Sequence, residues 1–334
     1  DKTPFIEEIE ESNKYFFYIR PRRFGKTLTL SMLENYYDIN KADKFEQIFG
    51  KLYIGENPTP EHNKYLVIHL NFAEVVGDLD NYKKGLDGHC NIRFGGFCDV
   101  YARLLPPGVK EEMNAKDGAI EQLAFLCEKC KEVGQKIYLF IDEYDNFTNT
   151  ILANEDYMDR YRDQTHGEGY LRKFFNTIKG AAGSALGRVF VTGVSPVTMD
   201  DLTSGFNIGT NYSLAPEFNE MTGFTEEEVR EMLEYYASVL PFNHTPDELI
   251  KEIKPWYDNY CFAEEEYGKT TMYNSVMVLN FLDNYIRSDY QIPKKMVETN
   301  VRIDYEKIRM LIRHDKSFSH DASIIQELVT KGFV

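Results

Sequence analysis

The sequence predicts an α/β protein in which helices sandwich a parallel sheet and a smaller helical unit follows. Three observations predict it. Apolar runs of strand character at 15–19, around 65–72, at 137–141 and at 189–192 alternate with stretches of helical periodicity, the pattern of a parallel sheet with right-handed crossovers. The first run ends in an arginine-rich loop and the third in paired carboxylates, as strands do where an open α/β sheet meets a ligand. After Gly223 only helical patterns follow.

The first run, Tyr15-Phe16-Phe17-Tyr18-Ile19, leads into Arg20-Pro21-Arg22-Arg23-Phe24-Gly25-Lys26-Thr27 and then a helix expected from Thr27. Strand, tight loop and helix with Gly-Lys-Thr at the helix start is the organisation of a phosphate-binding P-loop. The backbone from Arg22 through Arg23, Phe24, Gly25, Lys26 and Thr27 to Leu28 would present N–H groups and the positive end of the helix dipole to a polyphosphate. Lys26 would reach the outer phosphates and the Thr27 hydroxyl would ligate Mg2+. The general eight-residue pattern begins with glycine, where this chain has Arg20.

A second strand is expected at Tyr65-Leu66-Val67-Ile68-His69-Leu70-Asn71-Phe72, and an amphipathic helix near 118–133. Then comes Ile137-Tyr138-Leu139-Phe140-Ile141-Asp142-Glu143-Tyr144-Asp145, a buried-strand run ending in adjacent carboxylates. In an ATPase the first acid at such a strand end helps hold magnesium, here Asp142, and the second polarises the attacking water, here Glu143. Leu171, Phe174, Phe175 and Ile178 share one helical face ahead of the strand that carries Thr192 and Ser195 near its carboxyl edge. Thr192 either orients the lytic water or caps the strand end with its hydroxyl. One strand lies between the phosphate-loop strand and the acidic strand, the mark of ATPases that add a catalytic glutamate.

These segments, with Gly223-Phe224-Thr225-Glu226-Glu227-Glu228 and Trp256-Tyr257-Asp258-Asn259-Tyr260, resemble the predicted AAA-ATPase-like family over nearly all of the chain. Even Asp1-Lys2-Thr3-Pro4-Phe5-Ile6 is similar to the family's opening segment. The resemblance implies a P-loop ATPase with a helical lid, commonly followed by a nuclease-like domain of the PD-(D/E)XK superfamily. It also accounts for Arg20, since the family usually lacks the first glycine of the loop. Asn259 and Cys261 depart from the pattern, which usually has glycine and often a basic residue there.

The chain of 334 residues suits one large domain, expected at 1–223, and a smaller one at 224–334. With 54 acidic against 38 basic residues and a net charge of −16, it would repel nucleic acid over most of its surface. The one concentrated basic patch, Arg20, Arg22 and Arg23, is already explained by phosphates. Five cysteines and the absence of a signal peptide predict a cytoplasmic, reducing setting. Cys127 and Cys130 fall on a helical stripe without a second pair at zinc-finger distance. The chain contains no apolar stretch of the ~20 residues needed to span a membrane, so a membrane is not expected as a partner. The first residue is not Met and the last segment has no tail, which suggests a piece of something longer.

In the second unit, Thr225 and Glu228 read as a capping box ahead of Val229, Met232, Leu233, Tyr236 and Leu240 on one face. Trp256-Tyr257 and Tyr273-Asn274 read as its interior. Segments 73–117 and 146–168 are poorly patterned, and the latter could form a flap over the nucleotide or a solvated face. Pro246-Asp247 with Glu252-Ile253-Lys254 spells a nuclease-like motif, but on one helical stretch the two acids would point well apart instead of sharing a metal. A homo-oligomer is compatible with the chain, and Arg172, Arg188 and Arg230 are candidates for an arginine finger.

The expectation is an ATPase that takes ATP and Mg2+, turns over slowly, and regulates a downstream nuclease-like domain. Its alternative is a nucleotide-loaded switch or scaffold acting through protein contacts.

Overall fold

Large apolar side chains alternate across the three central strands and so build two different layers. The computed structural model describes residues 1–76, 81–146, 169–182, 185–194, 208–258 and 260–296. Strands β1 (Tyr15–Ile19), β2 (Leu66–Asn71), β3 (Ile137–Asp142), β4 (Leu186–Gly193) and the two-residue β5 (Thr210–Asn211) form one parallel sheet in the order β2-β3-β4-β1-β5. The strand that separates β1 from β3 in the sheet is therefore β4. The β2 strand, which intervenes between them in sequence, lies at an edge.

One face of the sheet turns Phe17 of β1, Leu139 and Ile141 of β3, and Val189 and Val191 of β4 into a large core. Over them lie α3 (Tyr82–Val100), α4 (Gly118–Glu132) and α5 (Tyr170–Ala181), which contributes Leu171, Phe174, Phe175 and Ile178, all fully buried. The other face is aromatic. Phe16, Tyr18, Tyr138, Phe140 and Phe190 pack under α1 (Phe5–Glu11) and α2 (Lys26–Tyr37), and Phe16 stacks on Phe190 with ring centroids 5.0 Å apart.

A third core belongs to α6 (Glu226–Val239), α7 (Pro246–Tyr257) and α8 (Ser275–Arg287). The Thr225–Glu228 capping box opens α6, and a second box, Thr245 with Glu248, opens α7. Val229, Leu233, Tyr257 and Tyr273 are buried in this core, whereas Trp256, expected inside, is 54% exposed. Asp247 and Glu252 do share one helix, and Asp247 pairs with Arg230 of α6. Ser195, Asn259 and the segments 147–168 and 304–334 lie outside the described residues.

Candidate functional site

Register places three strand ends side by side: Ile19 opposite Gly193 across β1 and β4, and Ile141 opposite Val191 across β3 and β4. The loop after β1 and the acids after β3 therefore emerge at one edge, where parallel α/β sheets bind ligands. Gly25 sits at the N-cap of α2 with φ 90°, a left-handed conformation that glycine adopts without strain. Gly25 has no side chain to cap the helix, so the first-turn N–H groups lack the usual acceptor and remain suited to an anion.

Lys26 is 6% exposed, and its ammonium donates to the carbonyls of Arg20 at 3.0 Å and Pro21 at 3.2 Å. Burial lowers its pKa, opposed by the nearby charges of Glu143, Asp142 and Asp145. The Thr27 hydroxyl donates to Asp142 Oδ2 at 3.1 Å, although the two lie 115 residues apart. Asp142 is nearly inaccessible and also accepts from the backbone N–H of Glu143 at 2.9 Å. Two hard oxygen donors facing each other at the mouth of a phosphate loop fit magnesium, which binds through one or two protein oxygens together with phosphates and water.

Glu143 is half-buried and has φ 50°, a backbone region that side chains avoid. Burial raises its pKa; Lys26 and Arg22 pull it down, and Asp142 and Asp145 push it up. A carboxylate with a raised pKa beside a buried lysine has the properties of a general base.

Other expected site residues sit differently. Thr192 is fully buried and donates to the Tyr18 carbonyl at 2.6 Å, so its hydroxyl caps neighbouring backbone and does not face the loop. Phe24 contributes backbone only: its ring is fully buried, edge-on to Tyr260 at 4.7 Å and Phe262 at 5.3 Å. Leu28 is 75% exposed, Arg22 is exposed and Arg23 is half-buried. Arg20, at the missing glycine, is not a phosphate contact. Its guanidinium lies between the rings of Tyr18 and Phe262 at 4.1 and 4.0 Å and donates to the carbonyls of Ile19, Ser213 and Phe218. Arg188 lies at the opposite end of the sheet, paired with Glu61, which removes it from the arginine-finger candidates.

The predicted AAA-ATPase family matches residues 1–203. The chain belongs to that family. Among curated proteins it is similar to an uncharacterized protein from the vnfD 5' region of Azotobacter chroococcum, 24% identical over 266 residues. That match covers 79% of this chain and 45% of the relative, so the chain spans less than half of the relative's length. Among solved structures it is similar to the ADP form of the Aeropyrum pernix ORC2 protein, with TM-score 0.42 and 11% identity over 90% of this chain and 66% of that one. It is also similar to Cdc6p from Pyrobaculum aerophilum, with TM-score 0.31 and 15% identity over 67% of this chain and 43% of that one.

Two contributors escaped the sequence reading. Asp145 is fully buried, accepts from the Val194 N–H at 3.1 Å, and adds a third acid to the field around Lys26 and Glu143. Its approach depends on Gly193, because a Cβ there would collide with Asp145 Oδ1 and the Tyr144 ring. Asn274 and Ser275 reach the phosphate loop from the helical unit, with Asn274 Nδ2 on the Arg22 carbonyl and Ser275 Oγ on that of Arg23. The aspartate repeated in Asp-Glu-Tyr-Asp was a usable signal for the first; nothing local signalled the second.

Proposed function

We propose that this chain binds Mg-ATP and hydrolyses it slowly, and that its nucleotide state regulates a nuclease-like domain carried elsewhere in the natural protein. The observation that carries the reading is the meeting of Thr27 and Asp142 at 3.1 Å beside a buried Lys26. Family membership supports the same chemistry. Lys26 and the Gly25–Thr27 backbone bind the phosphates, and Thr27 and Asp142 hold the metal. Magnesium, when bound, neutralises charge developing on the phosphate oxygens. Glu143 orients a water and takes its proton at the carboxylate. Thr192 acts, on this reading, through the strand end it caps.

Calorimetry with ATP and magnesium, paired with a phosphate-release assay, tests the division of roles. Glu143→Gln should keep ATP binding and lose about two orders of magnitude or more in hydrolysis. Asp142→Asn should weaken the magnesium-dependent binding itself. Identical behaviour of the two variants would refute the assignment. The nuclease coupling has its own test: plasmid cleavage by this chain beside the full natural protein, with and without ATP. Cleavage is expected only from the full protein, because an acidic surface of net charge −16 disfavours DNA.

A further inference from the structure

Two consecutive carbonyls of the phosphate loop are held by the helical unit and a third by Gly223 at its border, none of them by the sheet that carries the loop. The Arg22 carbonyl accepts from Asn274 Nδ2 at 3.3 Å. That of Arg23 accepts from Ser275 Oγ at 3.1 Å and from the Val276 N–H at 3.4 Å. That of Phe24 accepts from the Gly223 N–H at 3.0 Å. The Phe24 ring is sealed against Tyr260 and Phe262, and Phe262 also covers the Arg20 guanidinium.

A trans peptide is planar, so its N–H points opposite to its C=O. Fixing the carbonyls of residues 22, 23 and 24 therefore fixes the directions of the N–H groups of Arg23, Phe24 and Gly25, the groups that a phosphate loop aims at its ligand. We infer that Asn274 and Ser275 are positioning residues for the nucleotide site, so that nucleotide binding and the packing of α8 are thermodynamically linked. This deepens the Mg-ATP reading and rests on it.

Asn274 has two jobs that can be separated chemically. Its Oδ1 accepts from the Met277 N–H at 3.2 Å and caps α8, while its Nδ2 holds the loop. The side chain is nearly inaccessible, and its backbone N–H is tied to the Tyr257 carbonyl at 3.0 Å. Aspartate caps a helix as well as asparagine does but has no N–H to donate. Asn274→Asp thus keeps the helix cap and removes the grip on Arg22, but it also turns a nearly inaccessible carboxylate oxygen toward that carbonyl. Ser275→Ala deletes the hydroxyl on Arg23 without touching the cap.

Linkage is reciprocal: if α8 helps to shape the loop, Mg-ATP must in turn steady α8. The experiment measures Mg-ATP affinity by calorimetry, melting temperature without nucleotide, and amide exchange across 275–287 with and without Mg-ATP. It compares the unaltered chain with Asn274→Asp, Ser275→Ala and Lys26→Ala. Expected are affinities about three- to tenfold weaker for the first two variants, the worth of one hydrogen bond. The melting temperature of Ser275→Ala, which adds no charge, should hold, and the nucleotide-induced protection of 275–287 should shrink in both variants. A fall in melting temperature with unchanged affinity would make the contacts merely structural and overturn the inference. So would unchanged affinity in both variants while Lys26→Ala binds poorly. Unchanged affinity in Lys26→Ala as well would overturn the Mg-ATP reading, and the linkage with it.

Discussion

Two buried cations stand at opposite ends of the same sheet, in opposite electrostatic settings. Arg188, at the amino end of β4, is 2% exposed and fully provisioned: Glu61 lies at 2.7 Å, and the Ile9 and Glu10 carbonyls accept at 3.1 Å. Burial would lower its pKa, but the hydrogen bond to Glu61 reverses the sign and raises it. Lys26, at the carboxyl end, meets two carbonyls and, among the described residues, no ion pair; burial prevails and its pKa falls. A buried charge with its counter-ion in place is a staple, whereas one surrounded by acids held out of contact is ready for an incoming anion.

That contrast predicts opposite phenotypes. Arg188→Ala should cost about 3 kcal/mol of stability, since it leaves the buried Ile9 carbonyl, the part-buried Glu10 carbonyl and the Glu61 carboxylate without their cation. It should leave the nucleotide affinity of the folded fraction alone, as denaturant melts and calorimetry would establish. Lys26→Ala should weaken ATP binding by roughly 1–3 kcal/mol while the melting temperature stays level or rises, because the variant removes a desolvated charge. If Lys26→Ala is the one that unfolds, the contrast is wrong.

A smaller effect sharpens the electrostatics of the site. A general base works deprotonated, so kcat/KM should fall as pH drops through the Glu143 pKa, which burial sets above the ordinary carboxylate value. The acidic limb should vanish in Glu143→Gln, leaving only a low residual rate. It should move to higher pH in Arg22→Ala, because the Arg22 charge favours the carboxylate form. A limb that ignores Arg22 would separate that arginine from the site.

Strands β1, β3 and β4 could be read directly because a strand buried on both faces is an unbroken apolar run. The face of Leu171, Phe174, Phe175 and Ile178 was equally plain, its spacing being what one buried stripe demands. By contrast α3 was hidden within a poorly patterned segment, since Gly85, Gly88, Gly95 and Gly96 dilute both propensity and periodicity. At the site, local spacing pointed to Lys26, Thr27, Asp142 and Glu143, which the fold brings together. The grip of Asn274 on Arg22 spans 252 residues and depends on the packing of a third core, which no window of sequence contains. Arg20 was misread for a related reason: a basic loop suggests phosphates until the surrounding rings and carbonyls are seen.

Arg23 and Glu143 hold φ values of 70° and 50° where glycine or asparagine would be at ease. Each such residue withholds about 1–3 kcal/mol from the folded state, so the rim of the phosphate loop is kept at some expense to the whole. Glu143→Gly should therefore melt later than the natural chain in a thermal scan, despite glycine's entropic cost, and release no phosphate from ATP. A hardier but idle molecule would then lie one substitution away. Durability and turnover, on that account, compete for the same peptide unit.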